Sequence, residues 1–416
     1  MSSTDKKPVS VNGLAISSAS LAIMLAALSM LGPFSIDTYL PAFPAIQASL
    51  AATSLEVQQT LTAYMLSFAL MTLWHGALSD AFGRRKIILG ALALFALASL
   101  GCAAARSIET LWIFRMLQGM TAGAGVVIGR AMIRDLYEGA AAARLLSLMT
   151  MIFSIAPAIA PIMGGWIVQL FSWRVIFLFL FVYTILLLLQ CYRRLPESLP
   201  LSQRQVFHPR SLYHNYKLVL RSPLFQLKSG TIAFNFAGMF LYVAAAPIFL
   251  VESLHLGPAE FGWQFIPLVA GIFCGALSAN RLAGKLSVAK QVLIGFTFLV
   301  GAALFNTLYH AIFPPAVPWS LVPMFFYTFG MALVAPGATL LILDLFPTLR
   351  GLVASCQSCM LTMLGALVAG AIAPALSHSP LGLALGQLFF TLTAFLMWLG
   401  SQRYRQNIDQ GLNRSI

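Results

Sequence analysis

Gly76-Ala-Leu-Ser79-Asp80-Ala-Phe-Gly83-Arg84-Arg85-Lys86 sets one acid and three bases between two long apolar runs, 55–78 and 85–105. Each run matches the roughly 20 apolar residues that an α-helix needs to cross the hydrocarbon core. The charged turn therefore reads as a short loop between two membrane spans. A weakened copy stands farther on. Ser278-Ala-Asn280-Arg281-Leu-Ala-Gly284-Lys285 keeps a glycine and a base but has lost the acid. Two copies of one loop in corresponding places point to a duplicated chain with its site between the halves.

Working outward from that loop, spans of the same kind fill the sequence. Apolar length, with Pro, Gly or charge at the breaks, predicts helices at 15–40, 55–78, 85–105, 109–134, 144–170 and 173–192. A second set falls at 224–251, 260–281, 288–311, 317–344, 351–377 and 381–401. Between them lies the polar stretch 193–223, with Arg193, Arg194, Arg204, Arg210, Lys217 and Arg221. The expected organisation is an all-α polytopic membrane protein of twelve transmembrane helices. Residues 1–192 form one six-helix bundle, 193–223 a cytoplasmic basic linker, and 224–416 a second six-helix bundle. Composition agrees, because 416 residues that are 59% hydrophobic and 9% charged cannot build a water-soluble surface.

The net charge of +13 does not make the chain a nucleic-acid binder. Its bases occupy short gaps between apolar segments, where Lys and Arg set topology. With the N-terminus in the cytoplasm, only Arg106 and Arg174 fall in loops on the far side, and Arg115 and Arg130 lie inside the fourth helix. Both termini and the linker are thus expected to be cytoplasmic. Lys6 and Lys7 ahead of an apolar run imitate a signal peptide, but the run is too long, and it reads as a retained first helix.

Several patterns fail on inspection. Gly123-Ala-Gly125-Val-Val-Ile-Gly129 is misspaced for a nucleotide loop and follows no strand; its glycines fit close helix packing. No Walker A sequence, metal-ligand cluster or nucleophile elbow occurs, so the chain is not read as an enzyme and needs no cofactor. Cys356 and Cys359 form a lone CxxC inside an apolar helix, where two buried thiols are the plainer reading. His75, His310 and His378 are isolated near helix ends.

Chemistry concentrates at Asp37, in the outer half of the first helix, within Pro33-Phe34-Ser35-Ile36-Asp37-Thr38-Tyr39-Leu40-Pro41. A carboxylate in hydrocarbon costs roughly 2.5–3.5 kcal/mol or more, so it faces a cavity, pairs, or takes up a proton. The plainer alternative is an interfacial cap just past the helix end. Arg115 lies at similar depth in the fourth helix, within reach of pairing. Burial favours the neutral acid and a guanidinium favours the charged one, so this pair suits proton coupling. A purely structural ion pair is the alternative. Gln118 follows one turn later on the same face. Tyr64, Asn235, Tyr242, Asn306 and Gln357 are further polar groups in apolar helices, and Phe34, Tyr39, Phe234 and Phe240 can wall a ligand. Each has the alternative of ordinary packing or an interhelical hydrogen bond. Pro157 and Pro161, one turn apart with Gly164 and Gly165 beyond, predict a bent fifth helix with tight packing. Gly76, Asp80, Gly83, Arg84 and Arg85, with Arg130 nearby, are candidates for a conformational latch. Asp80 is expected to accept from the N-terminus of the eleventh helix near Arg350.

Over essentially its whole length the chain resembles the major facilitator superfamily. The 76–86 stretch resembles that family's loop signature between the second and third helices, and Arg115-Met-Leu-Gln118-Gly119 the fourth-helix motif of its drug/proton antiporters. Ala160-Pro161-Ile-Met-Gly164-Gly165 is similar to their fifth-helix motif, with Ala at 156 and 160 in place of Gly. Ser35-Ile-Asp37-Thr-Tyr39-Leu-Pro41-Ala42 is most similar to the bicyclomycin/chloramphenicol resistance branch. Met71-Thr-Leu-Trp74-His75-Gly76 departs from relatives, which have Gly-Gln there and a Pro after the Gly. The resemblance implies a monomeric exporter of small amphipathic compounds by alternating access, driven by the proton gradient, with Asp37 and Arg115 in a central cavity. Its partners are then a small-molecule substrate, protons and the bilayer. A dedicated carrier of one solute, such as an amino-acid derivative or siderophore, working by uptake or export, is the alternative.

Overall fold

A computed structural model describes residues 9–11, 14–16, 18–204, 208–282 and 284–413. Lys6 and Lys7, on which the signal-peptide comparison turned, lie outside the described residues. Twelve helical segments have the length and apolarity to cross a membrane: α1 Ser20–Leu50, α2 Ser54–Phe82, α3 Arg84–Ala104, α4 Ile108–Leu136, α5 Arg144–Leu170, α6 Arg174–Arg194, α7 Pro223–Ser253, α8 Pro258–Leu282, α9 Val288–Ile312, α10 Val322–Leu343, α11 Arg350–Leu376 and α12 Pro380–Tyr404. Their count and order match the spacing of apolar runs. The first helix is the exception, since the chain pairs Val9–Val11 antiparallel with Leu14–Ile16 and turns helical only at Ser18.

The helix starts follow from local sequence. Thr53 and Glu56 form a reciprocal capping box at α2, the carboxylate accepting from Thr53 N at 2.7 Å and the hydroxyl from Glu56 N at 3.2 Å. Ser107, Ser222 and Ser287 accept from backbone N–H groups at the starts of α4, α7 and α9. Pro223 takes the first position of α7, where its missing N–H costs nothing.

Packing repeats with an offset of six helices. In the first half, α4 packs on α1, α2 and α3, α1 also on α5, and α3 on α6. In the second, α10 packs on α7, α8 and α9, α7 also on α11, and α9 on α12. The halves touch along α2 with α11 and along α5 with α8. These contacts gather away from the linker. Gln58 donates to the Ala244 carbonyl at 3.0 Å and Gln59 to that of Gly370 at 2.8 Å.

The glycines of α4 let backbones meet. A Cβ on Gly125 would press against the Leu28 carbonyl of α1, and one on Gly119 against the Tyr64 carbonyl of α2. Small residues serve this purpose where apolar lipid gives helices no hydrophobic reason to associate. The 193–223 stretch, expected only as a polar linker, contains a helix, Pro209–Arg221. Its Tyr216 hydroxyl donates to the Leu73 carbonyl of α2.

Leucine at position 125 should therefore lower stability by about 1–3 kcal/mol, the usual cost of overpacking. Gly90→Leu is the control, because a Cβ there meets nothing within 4 Å. Thermal midpoints of both variants in one detergent, read by size exclusion after heating, should separate them. Equal midpoints would reject the close approach of α1 and α4.

Candidate functional site

Midway through the first bundle, the Arg115 side chain is fully enclosed, at 0% exposure. Its Nη1 donates to the Ser35 carbonyl at 3.1 Å and to Gln118 Oε1 at 2.9 Å. The guanidinium carbon lies 4.6 Å from the Tyr39 ring centroid and 4.3 Å from that of Tyr64. Desolvated cation–π contacts of this kind are worth about 2 kcal/mol or more each. Among the described residues, Nε and Nη2 have no hydrogen-bond partner. The rings are held in turn: Tyr39 shares a 2.6 Å hydrogen bond with Thr60, and the Tyr64 hydroxyl donates weakly to the Gly32 carbonyl at 3.4 Å. Gln118 is a hub, donating to Ser99 Oγ at 2.8 Å and accepting from the Cys102 thiol at 3.6 Å as well as from Arg115.

Asp37 ends the first helix of α1, two residues beyond the carbonyl that Arg115 holds, and is 6% exposed. The expected ion pair with Arg115 is absent, and among the described residues the Asp37 carboxylate has no hydrogen bond or ion pair. The guanidinium is instead drawn to Ser35 and Gln118 and fenced by the two tyrosine rings. Thus a buried acid on α1 and a buried base on α4, which meets α1 at the Ser35 carbonyl, do not pair with one another.

Other expected ligand residues turn elsewhere. Phe34 packs on Phe179 and Tyr183 of α6, at 6.0 and 5.9 Å between ring centroids. Tyr39 and Gln118 spend their polar groups inside the bundle. In the second half, Tyr242 accepts from Asn306 at 2.7 Å, and Asn306 also donates to Gln387 at 3.0 Å. Gln264 donates to the Tyr242 carbonyl at 2.8 Å. Beside this knot, Tyr327 donates to the Asn235 carbonyl at 3.1 Å and accepts from Thr391 at 3.2 Å. Both polar atoms of the Asn235 side chain, 1% exposed, are left without a partner. Phe240 stacks on Phe236, Phe234 tilts against Phe390, and half-buried Gln357 donates to Thr339 at 3.2 Å. Gln264, Tyr327, Gln387 and Thr391 were not singled out by sequence, each being a lone polar residue in a long apolar run.

The loop after α2 forms a dense ionic cluster. Arg84 pairs with Asp80, donates to Ser79, and reaches Asp135 at the end of α4 at 3.1 Å. Glu197, past the end of α6, accepts from the backbone N–H groups of Arg84 at 2.9 Å and Arg85 at 3.3 Å. It lies 3.6 Å from Arg204, while Ser198 donates to Asp135 at 2.8 Å and Arg85 donates to the Tyr192 carbonyl at 2.7 Å. The expected partner of Asp80, the start of α11, is not engaged; Arg350 pairs with Asp344 of its own half at 2.9 Å. An anion does cap a helix start as predicted, but it is Glu197 on α3. Gly83 adopts φ +100°, and a Cβ there would strike Glu197 and Arg204. Arg130 has no hydrogen bond or ion pair among the described residues. The α5 helix runs unbroken through Pro157 and Pro161. Beyond them Gly164 lies against the Thr38 carbonyl of α1, and Gly165 against the Pro258 carbonyl of α8.

Comparison with known proteins follows this geometry. The sequence profile of the Major Facilitator Superfamily matches residues 20–370. The chain is 35% identical over 321 residues to the uncharacterized MFS-type transporter YdgK of Bacillus subtilis, covering 76% of this chain and 79% of that protein. It is 29% identical to the bicyclomycin resistance protein homolog of Haemophilus influenzae, over 68% of this chain and 72% of that one. The crystal structure of a D-xylose-proton symporter superposes with a TM-score of 0.71 at 16% identity, covering 92% of this chain and 98% of that one, a likeness of fold. With twelve membrane-spanning helices, a profile matched over most of its length and a relative of this identity, the chain belongs to the major facilitator superfamily of membrane transporters.

Proposed function

We propose that this transporter exports small amphipathic compounds, of the kind met in multidrug or chloramphenicol/bicyclomycin-type efflux, in exchange for protons. The observation that carries the reading is Asp37: an acid at membrane depth, 6% exposed and unpartnered among the described residues, two residues from the Ser35 carbonyl that holds the Arg115 guanidinium. A carboxylate so placed is neutral or charged according to what shares its cavity. The resistance function named for the Haemophilus relative supports efflux as the direction.

In this reading residues 1–192 and 224–416 move as two bundles about a midplane cavity. The termini and the 193–223 linker face the cytoplasm of a bacterial inner membrane, and one copy of the chain is sufficient. The contacts of Gln58 and Gln59 across the far side close the outer gate in the form described. Opening outward exposes Asp37 to protons, and protonation releases the compound. Arg115 biases the charge on Asp37. Asn235, with two unsatisfied polar atoms, is the ligand contact proposed for the second half, with Phe240 and Gln357 nearby on α7 and α11. The Asp80–Arg84–Asp135–Glu197 cluster holds the linker-side ends of the first bundle together as one unit rather than latching one bundle to the other.

Purified protein in liposomes with a trapped pH dye tests this. Chloramphenicol-like, bicyclomycin-like and cationic compounds are added in turn. At least one should drive proton movement in wild type that Asp37→Asn abolishes. Full coupling in Asp37→Asn would reject the role of Asp37, and transport without proton movement would reject antiport.

Arg115→Lys should fold, yet carry protons roughly tenfold more slowly or worse. An ammonium cannot hold Ser35 and Gln118 while lying against two rings, and hydrogen bonds to charged groups are worth about 1.5–3 kcal/mol. Initial rates at matched reconstitution measure this; wild-type rates would show that any buried cation suffices.

A further inference from the structure

The helix Pro209–Arg221 has two distinct faces. Leu212, Tyr216 and Val219 turn toward the protein, with Val219 fully buried and Tyr216 bonded to α2. On the other side Arg210, His214, Lys217 and Arg221 stand at spacings of four, three and four residues. That spacing makes one exposed cationic ridge along the helix. No Asp or Glu occurs between Glu197 and Glu252, and none of the four has an ion pair among the described residues. Tyr213, Leu218 and Leu220 are exposed next to the ridge, at 68%, 51% and 41%.

Between this helix and the turn preceding α11 lies an open cleft of about 610 Å³. His214, Lys217, Arg221 and Ser222 form its polar rim, and Leu218 and Phe346 its apolar wall. The helix joins two membrane-crossing segments, α6 and α7, so the cleft lies at the linker's end of the bundle. A basic helix with apolar residues beside its charges is suited to a negatively charged lipid surface.

We propose that this cleft binds an anionic phospholipid from the leaflet on the linker's side. Lys217 and Arg221 hold the headgroup phosphate, His214 and Ser222 complete its hydrogen bonding, and Leu218 and Phe346 receive the first part of an acyl chain. Free phosphate leaves the apolar wall uncovered, and a zwitterionic headgroup brings its own cation against the ridge. The assignment is independent of the transported compound and of proton coupling.

Native mass spectrometry of the full-length protein in detergent, with added phosphatidylglycerol or phosphatidylcholine, tests it. Wild type should retain phosphatidylglycerol in preference to phosphatidylcholine. Each basic residue near an anionic surface is worth about fivefold in binding, so Lys217→Gln/Arg221→Gln should retain it roughly tenfold more weakly or worse. Arg281→Gln/Lys285→Gln, on another loop at the same end, should behave as wild type. Leu218→Asn keeps every charge and should also weaken retention, which separates a lipid site from a simple anion patch. Equal retention of both lipids, unchanged retention in the double variant or in Leu218→Asn, or displacement by millimolar inorganic phosphate would each overturn the proposal.

Discussion

A guanidinium sealed from water constrains the whole first bundle. Arg115 is sealed among α1, α2 and α4, and its charge is met only by the Ser35 carbonyl, the Gln118 amide and two tyrosine rings. Taking an ion out of water costs several kcal/mol even after relaxation, so each of these groups must be held in place. Thr60 fixes Tyr39, Ser99 fixes Gln118, and Gly119 brings the α2 backbone that carries Tyr64 against α4. The second bundle repeats the packing but not this site, its buried base being Lys228 over the Trp398 ring. Its corresponding polar knot, Tyr242 with Asn306 and Gln387, is neutral. The two halves are similar scaffolds in their packing, and only the first carries Asp37 and Arg115.

What could be read from sequence follows from which physical signals are local. Membrane thickness imposes its length on every span, so the twelve helices and their order were visible in the apolar runs. Asp37 and Arg115 stood out because ionisable residues are rare at that depth. The direction a side chain faces was another matter. In a helix apolar all round, periodicity cannot tell a cavity from a neighbouring helix, and Phe34 and Tyr39 turned out to pack inward. Glu197 was invisible for a different reason. It reaches Arg84 from 113 residues away in sequence, with no local pattern to announce the meeting. The linker helix was hidden because its apolar residues are too few to register as a span, although 212, 216 and 219 do fall on one face.

The linker does more than join two bundles. Glu197 caps α3 of the first half, and a short way on Tyr216 ties the linker helix to α2, while the same helix packs on α7 and α11 of the second half. Relative motion of the bundles on this side must therefore shear or carry along the Pro209–Arg221 helix. The ionic cluster around Arg84 lies wholly within the first half and its linker extension, so it can persist through such motion as a rigid unit.

The far side is built differently, and the contrast bears on how the two states are balanced. There the halves meet through neutral contacts: Gln58 on the Ala244 carbonyl, Gln59 on that of Gly370, and backbone against backbone where Gly165 meets Pro258. Neutral hydrogen bonds contribute about 0.5–1.5 kcal/mol net apiece, so the gate holds by a few such terms and reopens without a large penalty. A charge gained or lost in hydrocarbon shifts the free energy by roughly 2.5–3.5 kcal/mol or more. In the proposed mechanism, a change of protonation at Asp37 would therefore outweigh any single clamp on the far side. Under the proposed proton exchange, a gate of weak neutral contacts above one isolated acid would let a single proton decide which side of the membrane the cavity faces.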